Sequence, residues 1–123
     1  MSLPRDVKVV VVEVHAESIG EKVALGWHLD GRAGAVLGAH THIPAADEWV
    51  LPEGTAYITD LGMTGPYDSV LRRLAERVVG TMSTAVPSPF DVAKGDVRLC
   101  GVLAGVGSMT GRASRVERMR VHG

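Results

Sequence analysis

Val7-Lys8-Val9-Val10-Val11-Val12-Glu13-Val14 is β-branched and apolar on both alternating faces, the pattern of a strand covered on two sides, as parallel strands in α/β proteins are. It reads as a central strand. From Ser18 the period changes. Ile19, Val23 and Trp27 recur at helical spacing, as do Leu25 and Leu29. Glu17 and Glu21 fall where acids suit the helix dipole, and Gly31 supplies a stop. At this spacing Trp27 is expected in the core. Residues 33–38 (AGAVLG) are again short, apolar and bounded by glycine. Residues 7–38 should therefore form one β-α-β unit with a right-handed crossover and two parallel strands ending on the same sheet edge.

Working outward, residues 43–48 read as a loop, 49–51 as a short strand, 52–54 as a turn and 55–59 as another strand. Residues 62–66 are too glycine-rich to be regular. Asp68-Ser69 opens a helix carrying Val70, Leu71, Leu74 and Val78 on one face and ended by Gly80, with Arg72, Arg73, Glu76 and Arg77 as its solvated side. From Phe90 onward, strands over 90–93, 97–106 and 115–121 alternate with turns, a hairpin-connected antiparallel set. The expectation is an α/β chain, a parallel β-α-β unit followed by antiparallel strands, forming a single domain over residues 1–123.

Composition narrows the function classes. The 123 residues are 46% apolar and 22% charged, with a mean hydropathy of +0.14, an ordinary globular balance rather than a disordered one. Thirteen basic against fourteen acidic residues leave a formal charge of −1, so no global basic field collects polyanions and polymeric nucleic acid is not an expected partner. One cysteine, Cys100, excludes an internal disulfide and fits a reducing cytoplasm. It sits in an apolar run and is expected in the core. The apolar stretch 9–12 is far below the roughly 18 residues of a membrane helix, and Met1-Ser2-Leu3-Pro4-Arg5 lacks the apolar region of a signal peptide. The chain is expected to be soluble and cytoplasmic.

Three of the five histidines stand where structural use is hard to see. His15 follows the first strand, and His40 and His42 follow the second within Gly38-Ala39-His40-Thr41-His42. In extended backbone, residues two apart point the same way, so His40 and His42 can offer two imidazoles to one point. His15 ends the neighbouring parallel strand on the edge where open α/β sheets place ligands. Imidazole suits Zn, Mn, Fe, Ni or Cu far better than Mg or Ca. Glu13 and Glu17 are the nearby acids that a two-metal hydrolytic centre would require. The competing reading is bland: His-x-His alone is a weak pattern, and exposed loop histidines are common. His28, inside the first helix, and His122, near the end, read as surface.

Longer motifs go further. The stretches Glu13-Val14-His15-Ala16-Glu17, Leu29-Asp30-Gly31-Arg32, Gly38-Ala39-His40-Thr41-His42 and Leu51-Pro52-Glu53-Gly54-Thr55-Ala56-Tyr57-Ile58-Thr59-Asp60-Leu61-Gly62-Met63-Thr64-Gly65-Pro66-Tyr67-Asp68 closely resemble the C-terminal half of YmdB-like metallophosphoesterases, over nearly the whole chain. The resemblance implies half of a calcineurin-like, four-layer α/β/β/α sandwich and phosphodiesterase activity on substrates such as 2′,3′-cyclic nucleotides. It also implies divalent metal ions (Mn, Fe or Zn), two in the complete site. In that pattern the metal ligands fall on His15, His40 and His42. Glu13 and Val14 replace Asp and Phe of the pattern, and Ala39 replaces Thr; none of these removes a ligand. No catalytic or substrate-binding residue is assigned.

The pattern's N-terminal half, with its metal-binding Asp, Glu-Asn pair and Asn-His motif, has no counterpart in these residues. Two expectations follow. In one, this chain supplies histidine ligands to a phosphodiesterase whose remaining ligands come from another chain or segment. In the other it is a catalytically incomplete fragment or remnant that folds as an oligomer and binds at most one ion. In either case the valine-rich strand is expected to expose an edge, which favours a homo-oligomer or a chain carrying the N-terminal half as partner.

Overall fold

A computed structural model of the chain describes residues 3–123. The elements in order are β1 (Val11–His15), α1 (Ile19–Leu29), β2 (Ala35–Ala39), β3 (Trp49–Val50), β4 (Ala56–Ile58), β5 (Gly65–Asp68), α2 (Ala75–Thr84), β6 (Gly95–Val106) and β7 (Ala113–His122). One sheet has the strand order β1-β2-β4-β3 and a second the order β5-β6-β7, so the chain is mixed α/β, parallel first and antiparallel after. Its contacts divide it into two compact units. The first comprises residues up to Gly62 with Gly101–Met119, the second Met63–Cys100 with Arg120–Gly123.

In the first unit the expected β-α-β motif is present. β1 pairs in parallel with β2, β2 in parallel with β4, and β3 runs antiparallel on the far side of β4. Helix α1 starts at Ser18, whose hydroxyl accepts the Glu21 amide at 3.3 Å. It ends at Asp30, and Gly31 follows with φ 76°, the left-handed stop that glycine supplies without strain. The alternation of β2 and β4 sorts the core into two faces. Val36 and Tyr57 point to the α1 side, where Ala33, Leu51, Val12, Val14, Val23 and Leu29 join them. Ala35, Ala56 and Leu37 point to the other face and pack on Ala113, Ala104, Val106 and Val116 of the β6–β7 hairpin. Alanines on that face let sheet and hairpin approach closely.

Two expectations are corrected in this unit. β1 is an edge strand, not a central one: among the described residues no strand pairs with its outer edge, and Val11, Glu13 and His15, on its face away from α1, are exposed. Trp27 is 49% exposed instead of lying in the core. The centre of the buried α1 face is taken by Lys22 and Gly26, one turn apart, and Trp27 is rotated to the rim, edge-on to Trp49 with ring centroids 5.5 Å apart.

In the second unit β5 pairs antiparallel with the start of β6, Gly65 opposite Arg98 and Asp68 opposite Gly95, so regular structure begins inside the glycine-rich stretch. The helix expected from Asp68 begins only at Ala75, because Leu71 and Arg72 adopt left-handed backbone (φ 48° and 77°) inside a turn closed by Val70 and Arg73. It runs through Gly80 to Thr84 and stops at Ala85, which is also left-handed. The strand expected over 90–93 is reduced to a single bridge between Val92 and Arg73. Cys100 is half-buried, with the Tyr67 hydroxyl donating to its Sγ at 3.1 Å. His28 and His122 are exposed, as expected.

Candidate metal centre

The parallel register sets His15, the last residue of β1, opposite Ala39, the last residue of β2. His40 is thus the first residue beyond the sheet on the same edge. There the backbone leaves the extended region: His40 has φ 119° and His42 φ 66°. The strand alternation invoked for these two residues consequently does not operate. Instead it is His40 that meets His15, with Nδ1 of His40 3.1 Å from Nε2 of His15 and the ring planes at 83°.

That separation suits a shared ion. Two nitrogens each about 2.0–2.1 Å from one zinc, at angles between about 90° and 110°, lie about 3 Å apart. Of the expected trio, His15 and His40 are brought together and His42 is not: among the described residues no group of three His, Cys, Asp or Glu side chains is placed to hold a metal. Among the described residues the buried His42 Nδ1 has no hydrogen-bond partner, an arrangement that costs about 1–3 kcal/mol unless something outside these contacts satisfies it. Glu13 and Glu17 are exposed and join no such group. The donor set therefore fits a metal at two imidazoles, with a third imidazole nitrogen unclaimed in the same loop.

A left-handed histidine persists only where its surroundings over-determine it, and two residues that the sequence reading passed over supply that constraint. Lys22 is 0% and Asp60 2% exposed. The Lys22 ammonium donates to the Ala39 carbonyl at 2.6 Å and to Asp60 Oδ2 at 3.4 Å. Asp60 Oδ2 also accepts the Thr41 amide, and its Oδ1 the Gly62 amide, both at 2.9 Å. Burial works to raise the Asp60 carboxyl, but the Thr41 and Gly62 amides and then Lys22 outweigh it and hold the group below its ordinary value. The signals were a lysine one turn from Gly26 on the buried stripe of α1, and an aspartate at the end of the third parallel strand.

Backbone contacts tighten the same corner. Leu61 N donates to Gly38 O and Ala45 N to Asp60 O, each at 2.9 Å. Gly38 is obligatory here, since a β-carbon at that position would lie 1.8 Å from the Thr59 carbonyl oxygen.

No helix among the described residues is long and apolar enough to cross a membrane. The chain is similar to a 2′,3′-cyclic-nucleotide 2′-phosphodiesterase of Bacillus subtilis, with 46% identity over 113 residues that make up 92% of this chain and 43% of the relative. Among solved structures it is similar to a novel phosphatase from Mycoplasma pneumoniae (TM-score 0.87, 35% identity, 96% of this chain and 42% of that one). It is also similar to a hypothetical protein from Thermus thermophilus (TM-score 0.84, 42% identity, 94% of this chain and 45% of that one). The chain thus spans less than half the length of the proteins it matches. A family profile described as YmdB-like protein matches residues 1–119, and the chain belongs to that family.

Proposed function

We propose that this chain supplies the histidine metal ligands of a metal-dependent phosphodiesterase of the 2′,3′-cyclic nucleotide type. The observation that carries the reading is the 3.1 Å approach of His15 Nε2 and His40 Nδ1 at the ends of adjacent parallel strands. His42, which stands apart from the other two rings but has an unpartnered Nδ1 in the same loop, is assigned as the third ligand, joining them when an ion binds. The name of the Bacillus subtilis relative supports the substrate class. Imidazole donors favour Fe or Zn, and the family resemblance adds Mn and two ions in the complete site. When bound, such ions supply Lewis acidity toward the phosphoryl oxygens and a template for the displacement. What these residues contribute is binding and orientation: two imidazoles held at a fixed separation on a rigid edge. Carboxylate ligands and groups assisting the leaving oxygen are assigned to residues outside this sequence, in another chain or segment carrying the N-terminal half.

The test is hydrolysis of 2′,3′-cAMP and of bis-p-nitrophenyl phosphate with Mn2+ present, by this chain alone and by this chain mixed with the N-terminal half of a relative. Turnover in the mixture that disappears in His40→Ala is expected. Bound metal with no turnover in the mixture overturns the reading.

The exposed outer side of β1 favours a second reading, a catalytically incomplete fragment that pairs with itself and binds one ion at most. Single-ion stoichiometry in a homo-oligomer, with no activity on reassembly, is its signature.

A further inference from the structure

We infer that Lys22 and Asp60 are positioning residues of the proposed metal site, a buried charged pair that brackets His40 and sets the direction in which its imidazole is presented. The inference rests on the metal reading above and concerns the geometry of the loop that carries the ligands.

The argument starts from the peptide groups. A loop leaving a parallel sheet loses its ladder partners, and every buried N–H and C=O must be satisfied by something else. The peptide before His40 is held by its carbonyl, that of Ala39, on the Lys22 ammonium at 2.6 Å. The peptide after His40 is held by its amide, that of Thr41, on Asp60 Oδ2 at 2.9 Å. The two anchors meet each other at 3.4 Å, so both peptides flanking His40 are tied to one object. With both fixed, the φ of 119° at His40 is imposed by its neighbours. The second carboxylate oxygen holds Gly62 N, and the Asp60 carbonyl holds Ala45 N, so the far end of the His40–Thr41–His42 turn is tied to the same residue.

Stability alone does not explain the pair. A buried ion pair gives little net stability compared with apolar residues of the same volume, because both charges lose their hydration. Its particular capacity is directional: an ammonium offers three donors and a carboxylate about four acceptor positions, enough to satisfy peptide groups that point in incompatible directions. Groups that orient metal ligands from behind typically change metal affinity by about 10–100-fold when altered.

The experiment compares the full chain with the double variant Lys22→Met/Asp60→Asn, which removes both charges together and leaves neither buried alone. Zn2+ affinity is measured by competition with a chromophoric chelator, and the His40 ring and the Thr41 and Gly62 amides are followed by NMR in the metal-free protein. Expected is a cooperatively folded variant whose Zn2+ affinity falls about 10–100-fold, with altered His40 ring signals and unchanged signals from the Val36 and Tyr57 core. A folded variant with wild-type Zn2+ affinity and wild-type His40 signals overturns the inference. Should the variant not fold, hydrogen exchange of the unmodified protein decides: Thr41 and Gly62 amides protected at least 100-fold support it, and unprotected exchange overturns it. His40→Ala is the control for the underlying reading. If it leaves Zn2+ affinity unchanged, the metal assignment fails, and the metal-free His40 signals of the double variant still decide the positioning role.

Discussion

His15 and His40 are 25 residues apart in the chain, and their facing ring nitrogens are 3.1 Å apart, beyond the paired ends of β1 and β2. Without an ion, one ring nitrogen donates its hydrogen to the other, and either ring can be the donor. An ion held by His15 and His40 would take the place of that hydrogen bond. Mn2+ or Zn2+ is therefore expected to raise the melting temperature by mass action, worth about 2.7 kcal/mol at a hundredfold excess over Kd. His15→Ala and His40→Ala should each melt close to wild type without metal and lose the metal-induced increase. Differential scanning fluorimetry across a metal titration checks this, and an undiminished increase in either variant contradicts the assignment.

Helix α1 provides an internal control on packing, since two of its glycines have opposite surroundings. A β-carbon at Gly20 would meet nothing within 4 Å, whereas one at Gly26 would lie 2.6 Å from the Tyr57 ring. Gly20→Ala should stabilise by about 0.5–1 kcal/mol through helix propensity. Gly26→Ala should destabilise by about 1–3 kcal/mol, because Tyr57 is itself confined by the core. Urea midpoints moving in opposite directions are the expected result.

The contrast between those glycines shows what was legible. The β-α-β unit could be read because a continuous valine run, a capped helix and a second apolar run each have one physical interpretation, and Ser18 and Gly31 bound the helix where expected. That His15 and His40 stand at the ends of adjacent strands on one sheet edge followed from the parallel topology. The left-handed backbone at His40, His42, Leu71 and Arg72 could not be read, because none of these is glycine; at His40 the constraint comes from the distant Lys22 and Asp60, and Leu71 and Arg72 sit in a turn closed by Val70 and Arg73. Lys22 escaped for a related reason: a lysine in an amphipathic helix is ordinarily solvated, and its burial requires Asp60, 38 positions further on. Trp27 was misplaced by the same event, since the helix turned toward Lys22 and Gly26 moves Trp27 to the rim.

β1 has no pairing strand on its outer edge among the described residues, and Val11, on its face away from α1, is 58% exposed. Unsatisfied strand edges with apolar side chains invite pairing with another chain. The protein is expected to be oligomeric at micromolar concentration by light scattering, and Val11→Lys to shift it toward monomer, since a charge on an exposed edge opposes edge-to-edge association. Identical mass for both proteins would remove β1 from the interface.

Asp60 makes stability depend on pH in a defined direction. Its carboxyl sits below the usual value of about 3.9, so between the two values the unfolded chain binds a proton that the folded chain does not. Stability contributed by this group is therefore present above about pH 4 and is lost as pH falls through the lower folded-state value. Removing the carboxylate alone leaves Lys22 charged and buried, so Asp60→Ala should cost about 3–5 kcal/mol at pH 7. Lys22→Met/Asp60→Asn should cost much less and, having no carboxylate at this position, should lose less stability between pH 5 and pH 3 than the unmodified protein. Urea unfolding of both proteins at half-unit pH intervals gives the comparison. Parallel curves across that interval would mean that some other carboxylate governs the acid transition and that Asp60 is no better stabilised in the fold than in the open chain.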